Sequence, residues 1–246
     1  MKRRLFLAAT FCFPFVSLAR AQPKPWRLSL LDGGGDLAGI AIDLDEGWKT
    51  YWRMPGEAGV SPQFDWSGTQ GAKDIQVFYP LPQRHHDASG EAVGYLGRVV
   101  FPVRLTPEGK KPVILDLKLF FAVCKDICIP AQGEARGTLS AAAPDKDEIL
   151  SWMAKVPVAG EIVTKAKAEA VAQGVVIDLG FSAKANEVFV ESNGDAYFGA
   201  PELSADGMAA RLPVGNVKSA AELRGAQITV TVAADGGGVE QRVTVS

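Results

Sequence analysis

Strand-like runs alternate with glycine- and proline-rich breaks along the first half of the chain. Breaks of this kind occur at residues 32–35, 54–56 and 106–109. The runs predicted as strands are residues 37–44, 73–78, 99–105 and 113–123. Short strands at this spacing, without helical patterns of about 10–15 residues between them, are typical of an antiparallel sandwich rather than of parallel βαβ units.

The pattern changes at residues 141–144, where Ala-Ala-Ala-Pro interrupts the strands. Pro144 and the acidic residues that follow favour a helix start. This helix places Ile149, Trp152 and Met153 on one face and ends before Pro157. Strand character then resumes at residues 175–181, 187–191 and 227–232, and residues 227–246 are predicted to form a hairpin around 235–238. The second half contains neither cysteine nor histidine, so we expect a second sandwich without a catalytic motif.

The N-terminus has the pattern of an export signal. Basic residues at 2–4 precede an apolar run at 5–18, which ends in Ala19-Arg20-Ala21. This order is typical of a signal peptide cleaved near Ala21. Residues 3–7 also resemble the twin-arginine export motif, and both routes lead out of the cytoplasm. We therefore expect a periplasmic protein, and the run is too short to be a transmembrane helix, which needs about 20 residues.

Composition excludes several classes of protein. The 246 residues are 47% hydrophobic and 22% charged, which is typical of a globular chain and not of a disordered one. Removal of the signal leaves 22 basic and 28 acidic residues, so no basic excess indicates nucleic-acid binding. No later apolar segment is long enough to span a membrane, and no motif indicates a bound cofactor.

Two cysteines remain after cleavage, Cys124 and Cys128. Their flanks favour strands, so residues 125–127 are predicted to form a hairpin loop with the cysteines directly opposite each other. Facing Cα atoms in an antiparallel pair lie about 4.5–5.5 Å apart, which suits a disulfide. Closing so short a loop removes little entropy from the unfolded chain, which favours a bond that opens and closes. The alternative is a static hairpin clamp in a β-sandwich adaptor.

Three segments resemble the N-terminal periplasmic domains of DsbD- and ScsB-type thiol reductases. They are GWKTYWRMPGEAG with SPQFDW at residues 47–66, YLGRVVFPV at 95–103 and FAVCKDICIPA at 121–131. Together they span roughly residues 26–140. The second half resembles the region that follows this domain in ScsB-like members, through weaker motifs such as FVESN at 189–193.

The resemblance implies an immunoglobulin-like sandwich with a redox-active cysteine pair. Cys128 would exchange with the partner protein, and Cys124 would resolve the mixed disulfide. The implied function is thiol–disulfide exchange that relays electrons between a membrane thiol reductase and thioredoxin-like periplasmic proteins. Because the membrane and thioredoxin-like domains of the larger family members do not appear in this sequence, the electron donor is expected to be another protein.

The resemblance also implies a cap loop over the cysteine pair, at residues 84–91, but the aromatic residue expected in such a loop is not obvious here. This loop contains His85, His86 and Asp87. Residues expected to surround the pair are Trp48, Tyr51, Trp52, Phe121, Lys125 and Asp126, although a plain core role is the alternative for the aromatic ones. Arg53 and Glu57 are expected in a solvent-exposed turn.

A copper-binding module is a second functional hypothesis. Cys124, Cys128, His85 and His86 would form a soft ligand set that suits Cu(I) or zinc, and ScsB-type systems are associated with copper tolerance. Adjacent histidines on a strand point to opposite faces, which argues against shared ligation. The preferred interpretation is therefore that His85 and His86 are exposed loop residues that bind no metal.

The predicted fold class is all-β, with two immunoglobulin-like β-sandwich domains joined by a short helical linker. The domain boundaries predicted from the sequence are a signal peptide at 1–21, a redox sandwich at 22–143, the linker at 144–160 and a second sandwich at 161–246.

Overall fold

The computed structural model describes residues 24–56, 59–87, 90–109 and 112–246, so the predicted signal peptide lies outside the described residues. Antiparallel strands make up the first half. In chain order they are β1 (Trp26–Asp32), β2 (Leu37–Leu44), β3 (Lys49–Gly56), β4 (Gln63–Asp65), β5 (Ala72–Val77), β6 (Gln83–Asp87), β7 (Gly90–Leu96), β8 (Arg98–Pro107), β9 (Ile114–Cys124) and β10 (Cys128–Thr138). The four runs predicted in this half correspond to β2, β5, β8 and β9 and are confirmed.

These strands form two sheets, which pack face to face. One sheet has the order β1-β2-β8-β5, and the other has the order β10-β9-β3-β7-β6, with β4 also paired to β9. Their inward side chains form one buried cluster that includes Ile40, Ile42, Phe101, Leu117 and Phe121. Burying a side chain of this size stabilises the fold by about 1.5–3 kcal/mol, so this cluster fixes the register of the strands.

The predicted helix, α1 (Lys146–Met153), covers the outer face of the first sheet. Ile149 is fully buried there against residues of β1, β2 and β8, with Trp152 and Met153 packed beside it. The helix start is held by the Asp145 carboxylate, which accepts a hydrogen bond from the Asp32 amide at 2.8 Å. The apolar face predicted from the sequence is therefore confirmed.

Strands resume after the helix. They are β11 (Val158–Ala159), β12 (Val163–Val171), β13 (Gly174–Phe181), β14 (Ala185–Ser192), β15 (Tyr197–Phe198), β16 (Glu202–Leu203), β17 (Ala209–Gly215), β18 (Gln227–Ala234) and β19 (Gly237–Thr244). They form sheets of order β11-β19-β18-β14 and β12-β13-β17-β15, with β16 also paired to β17. The terminal hairpin is confirmed as β18–β19, whereas the short parallel pairing of β11 with β19 was not predicted.

The two sandwiches are in direct contact. Phe189 of β14 is fully buried within the cluster of the first sandwich, where its ring lies 5.3 Å from that of Trp52. The predicted fold class is confirmed: the chain is all-β, with two immunoglobulin-like sandwiches joined by a short helix. In the described part of the chain, no helix is long and apolar enough to cross a lipid bilayer.

Candidate redox site at a β-hairpin

The cysteine pair closes the hairpin between β9 and β10. Cys124 ends β9 and Cys128 begins β10, and the two are direct partners in the register with Cα atoms 4.1 Å apart. A disulfide joins them. Cys124 is fully buried and Cys128 is partly exposed, so an approaching protein reaches only the Cys128 side of the bond.

Tyr51, which sequence analysis placed near the pair, contacts Cys128. Its hydroxyl oxygen lies 3.2 Å from Sγ of Cys128. Tyr51 packs with Ala92, Ala122 and Cys124 in a small buried cluster on the outer face of the sheet. Burial raises the pKa of the Tyr51 hydroxyl, which therefore keeps its proton at neutral pH and remains a hydrogen-bond donor.

The segment that follows β3 covers this cluster. Val60 packs against it, and a Cβ added at Gly59 would lie 2.6 Å from a ring carbon of Tyr51. Only glycine fits at residue 59, because the same Cβ would also collide with Pro55. This segment therefore lies against the Tyr51 ring.

Lys49 is a site residue that sequence analysis missed. It lies directly opposite Cys124 in the register and is only 4% exposed. Burial lowers the pKa of its amine. The signal was available in the sequence, because Lys49 is two residues before Tyr51 and alternate residues of a strand share a face.

The two histidines of the predicted cap loop lie on β6 and point in different directions. Nε2 of His85 is buried and has no hydrogen-bond partner in the described part of the chain. Burial lowers the pKa of His85, and the positive charge of Lys49 lowers it further. A backbone hydrogen bond with Gly94 has a smaller, opposite effect. The side chain of His86 is 69% exposed, with Nε2 3.9 Å from the Glu91 carboxylate. The side chain of Asp87 and residues 88–89 lie outside the described residues.

The proposed copper ligands do not come together as one set. Within the described residues, no group of three or more histidine, cysteine or acidic side chains is placed to hold a metal ion. His86 is directed to solvent and Glu91, as the alternation of side chains along a strand requires.

The other aromatic residues predicted near the pair lie between the sheets, whereas Lys125 and Asp126 lie in the loop that joins the two cysteines. Phe121 and Trp52 belong to the cluster between the sheets, where Phe121 makes an edge contact with Trp26 at 5.0 Å. Trp48 packs against the same cluster. Lys125 and Asp126 are exposed in the hairpin loop, and Nζ of Lys125 donates a hydrogen bond to the Glu46 carbonyl at 3.3 Å.

The prediction of a solvent-exposed turn at Arg53 is wrong. Arg53 lies in β3, and its guanidinium donates hydrogen bonds to the Glu191 carboxylate at 2.7–3.0 Å and also pairs with Glu240. It also stacks over the Trp52 ring at 4.4 Å. Both carboxylates belong to the second sandwich, more than 130 residues away, so local sequence could not reveal them. Glu57 lies outside the described residues.

Arg84 makes a second link of the same kind. Its side chain is 7% exposed and pairs with Glu91 in the first sandwich and with Glu187 in the second. It also donates a hydrogen bond to the Val188 carbonyl at 2.9 Å. Tyr51 and Arg53 share β3, and His85 and Arg84 share β6, so both strands join the site to the second sandwich.

Two protein families match the chain in separate ranges. The family described as the N-terminal part of the thiol:disulfide interchange protein DsbD matches residues 17–140, and a domain family of unknown function, DUF8393, matches residues 155–246. The crystal structure of the N-terminal periplasmic domain of ScsB from Proteus mirabilis has a similar fold, with a TM-score of 0.69 and 24% sequence identity. The similarity covers 90% of this chain and 92% of that one. A search of curated proteins found no significant match.

Proposed function

Because the chain belongs to the family of DsbD N-terminal domains, as its sequence motifs predict, we propose that it exchanges disulfides with partner proteins through Cys124 and Cys128. The observation that carries the proposal is the hairpin disulfide between a fully buried and a partly exposed cysteine. A bond that closes a loop this short adds little stability to a chain of this length, which favours a chemical role over a structural one.

The exchange proceeds in two steps. A thiolate of a reduced partner attacks Sγ of Cys128, the Cys124–Cys128 bond breaks, and Cys124 leaves as a thiolate that takes up a proton. A second partner thiolate then attacks the partner's sulfur in the mixed disulfide, and Cys128 leaves and is protonated. Two electrons and two protons pass from the partner to the cysteine pair, and the reverse steps carry them in the other direction.

Tyr51 supports the sulfur at which exchange occurs. A disulfide sulfur has no proton to donate, so in the oxidised protein the Tyr51 hydroxyl donates to Sγ of Cys128. After the bond opens, the same hydroxyl stabilises a Cys128 thiolate through a charge-assisted hydrogen bond.

The proposed setting is the periplasm, with thioredoxin-like proteins and a membrane thiol reductase as partners. The export signal predicted from the sequence and the family of DsbD N-terminal domains support this assignment. Electrons would enter from one partner and leave to another.

Trapping of mixed disulfides tests the proposal. Cys124→Ser leaves the accessible thiol without its resolving partner and should accumulate mixed disulfides through Cys128. Cys128→Ser leaves only the buried thiol and should accumulate few. Both variants are incubated with oxidised periplasmic extract, and the linked residue is identified by mass spectrometry. Absence of cross-links in both variants would exclude the exchange role and favour a structural disulfide in an adaptor.

A further inference from the structure

Strand β10 lies at the end of its sheet, and Cys128 is its first residue. Among the described residues, no strand pairs with β10 on the side away from β9. Ile127 and Ile129, the sequence neighbours of Cys128, are 75% and 42% exposed. The partly exposed cysteine therefore lies beside an open strand edge.

The geometry of the hairpin fixes the direction of the Cys128 main chain. In an antiparallel ladder, facing Cα atoms are about 4.5 Å apart in pairs without mutual hydrogen bonds and about 5.5 Å apart in hydrogen-bonded pairs. The value of 4.1 Å for Cys124 and Cys128 indicates the first kind. Residues 125–127 form a bend without a hydrogen-bonded turn, as expected when Cys124 and Cys128 form a pair without mutual hydrogen bonds. The N–H and C=O groups of Cys128 consequently point away from β9, toward the open edge.

Two neighbouring contacts support this direction. Pro130, two residues along β10, faces Ala122 in the register. The Ala122 carbonyl accepts a hydrogen bond from the Thr50 hydroxyl at 2.9 Å, so it is directed toward β3 and away from β10. The Ala122–Pro130 pair is therefore also without mutual hydrogen bonds, and the Pro130 nitrogen faces outward, as proline in an edge strand requires.

Only the first part of this edge is suited to pairing. Residues 128–132 carry no charge, whereas Glu134 and Arg136 follow farther along the strand. Charged side chains and proline on an edge both oppose the addition of another strand, so in the uncharged part Pro130 offers only its carbonyl, while Cys128 and Gln132 offer both main-chain groups. Trp26 and Leu28 of β1 also come close to β10 at Gly133.

We propose that the open edge at Cys128 docks an extended, uncharged segment of the partner, next to the partner's reactive cysteine. The Cys128 N–H group donates a hydrogen bond to this segment and the Cys128 C=O group accepts one from it, which aligns the partner sulfur with Sγ of Cys128. The proposal rests on the exchange function proposed above and adds the mode of recognition. Because main-chain groups are common to all sequences, such an edge serves partners of different sequence.

An N-methyl scan tests the docking mode. The Cys124→Ser variant supplies the free Cys128 thiol, and the probe is a seven-residue uncharged peptide whose central cysteine is activated as a mixed disulfide with thionitrobenzoate. Cys128 attacks the peptide sulfur and releases thionitrobenzoate, which gives the rate. Each peptide carries one methyl group on a backbone nitrogen. Methylation at alternate positions should slow the reaction about fivefold, and methylation at the positions between should leave the rate unchanged, because only alternate N–H groups of the peptide face the edge.

The same peptides reacting with glutathione give the intrinsic effect of each methyl group. If the corrected rates did not alternate along the peptide, the docking mode would be overturned, while the trapping result would remain intact.

Sedimentation of the oxidised protein provides a second test. A stable dimer that disappears on Gln132→Lys would show that a second copy occupies the edge and would also overturn the proposal, whereas a monomer supports it.

Discussion

The hydroxyl of Tyr51 contacts Sγ of Cys128 at 3.2 Å although their strands, β3 and β10, are separated by β9. The contact therefore spans the sheet face above Cys124 and Ala122, and it depends on the packing of the whole face rather than on the hairpin alone. It links the sulfur of the partly exposed cysteine to a hydroxyl whose pKa is raised by burial.

Removal of this hydroxyl should slow the reaction of the Cys128 thiol. A charge-assisted hydrogen bond contributes about 1.5–3 kcal/mol. At pH 6, where most of the thiol is protonated, its loss lowers the thiolate fraction more than it raises the nucleophilicity of the thiolate, so Tyr51→Phe in the Cys124→Ser background should reduce alkylation of Cys128 by about four- to fifteenfold. Tyr95→Phe is the matched control, because its buried hydroxyl donates to the Pro80 carbonyl at 2.7 Å, away from the sulfurs. Alkylation of the Tyr51 variant within twofold of its parent would contradict this role.

Arg53 should contribute strongly to stability. Its side chain and those of Glu191 and Glu240 are each no more than one-third exposed, so Arg53→Met leaves two carboxylates poorly hydrated at the contact between the sandwiches. The free energy of unfolding should fall by about 2–4 kcal/mol. Arg136→Met removes a pair with Asp116 in which the arginine is 76% exposed, and it should cost less than about 1 kcal/mol.

Urea unfolding of the two arginine variants, followed by tryptophan fluorescence, measures this difference. Equal losses for Arg53→Met and Arg136→Met would mean that the contact between the sandwiches contributes no more than a surface ion pair.

His85 should make stability depend on pH near neutrality. Burial and the charge of Lys49 lower its pKa in the folded protein below the value of about 6.5 expected in the unfolded chain. Between these two values the unfolded chain binds more protons, so the free energy of unfolding falls as pH decreases through about 6.5, and the loss is complete below the folded-state pKa.

His85→Gln should remove this part of the pH dependence, whereas His86→Gln, at an exposed position of the same strand, should retain it. Urea unfolding at several pH values from 8 to 5 provides the measurement. An unchanged difference between pH 8 and pH 5 in the His85 variant would show that His85 does not titrate differently on folding.

Local sequence was sufficient to predict the parts of this fold that depend on the alternation of apolar and polar residues and on turn residues. The hairpin at residues 125–127 and the helix face around Ile149 follow from the residues within each element. The contacts of Arg53 and Arg84 could not be predicted in this way, because their carboxylate partners in the second sandwich are reached only through the packing of the two domains. Lys49 illustrates a third case, in which alternation predicts the face but not the burial of a charged residue.

The reduction potential of the mature protein tests the central claim most directly. The protein is equilibrated in graded dithiol buffers, and free thiols at Cys124 and Cys128 are counted by mass-shift alkylation. A potential between about −180 and −270 mV, the range of known exchange proteins, is the expected result. A potential below about −300 mV, as structural disulfides have, would contradict the exchange function.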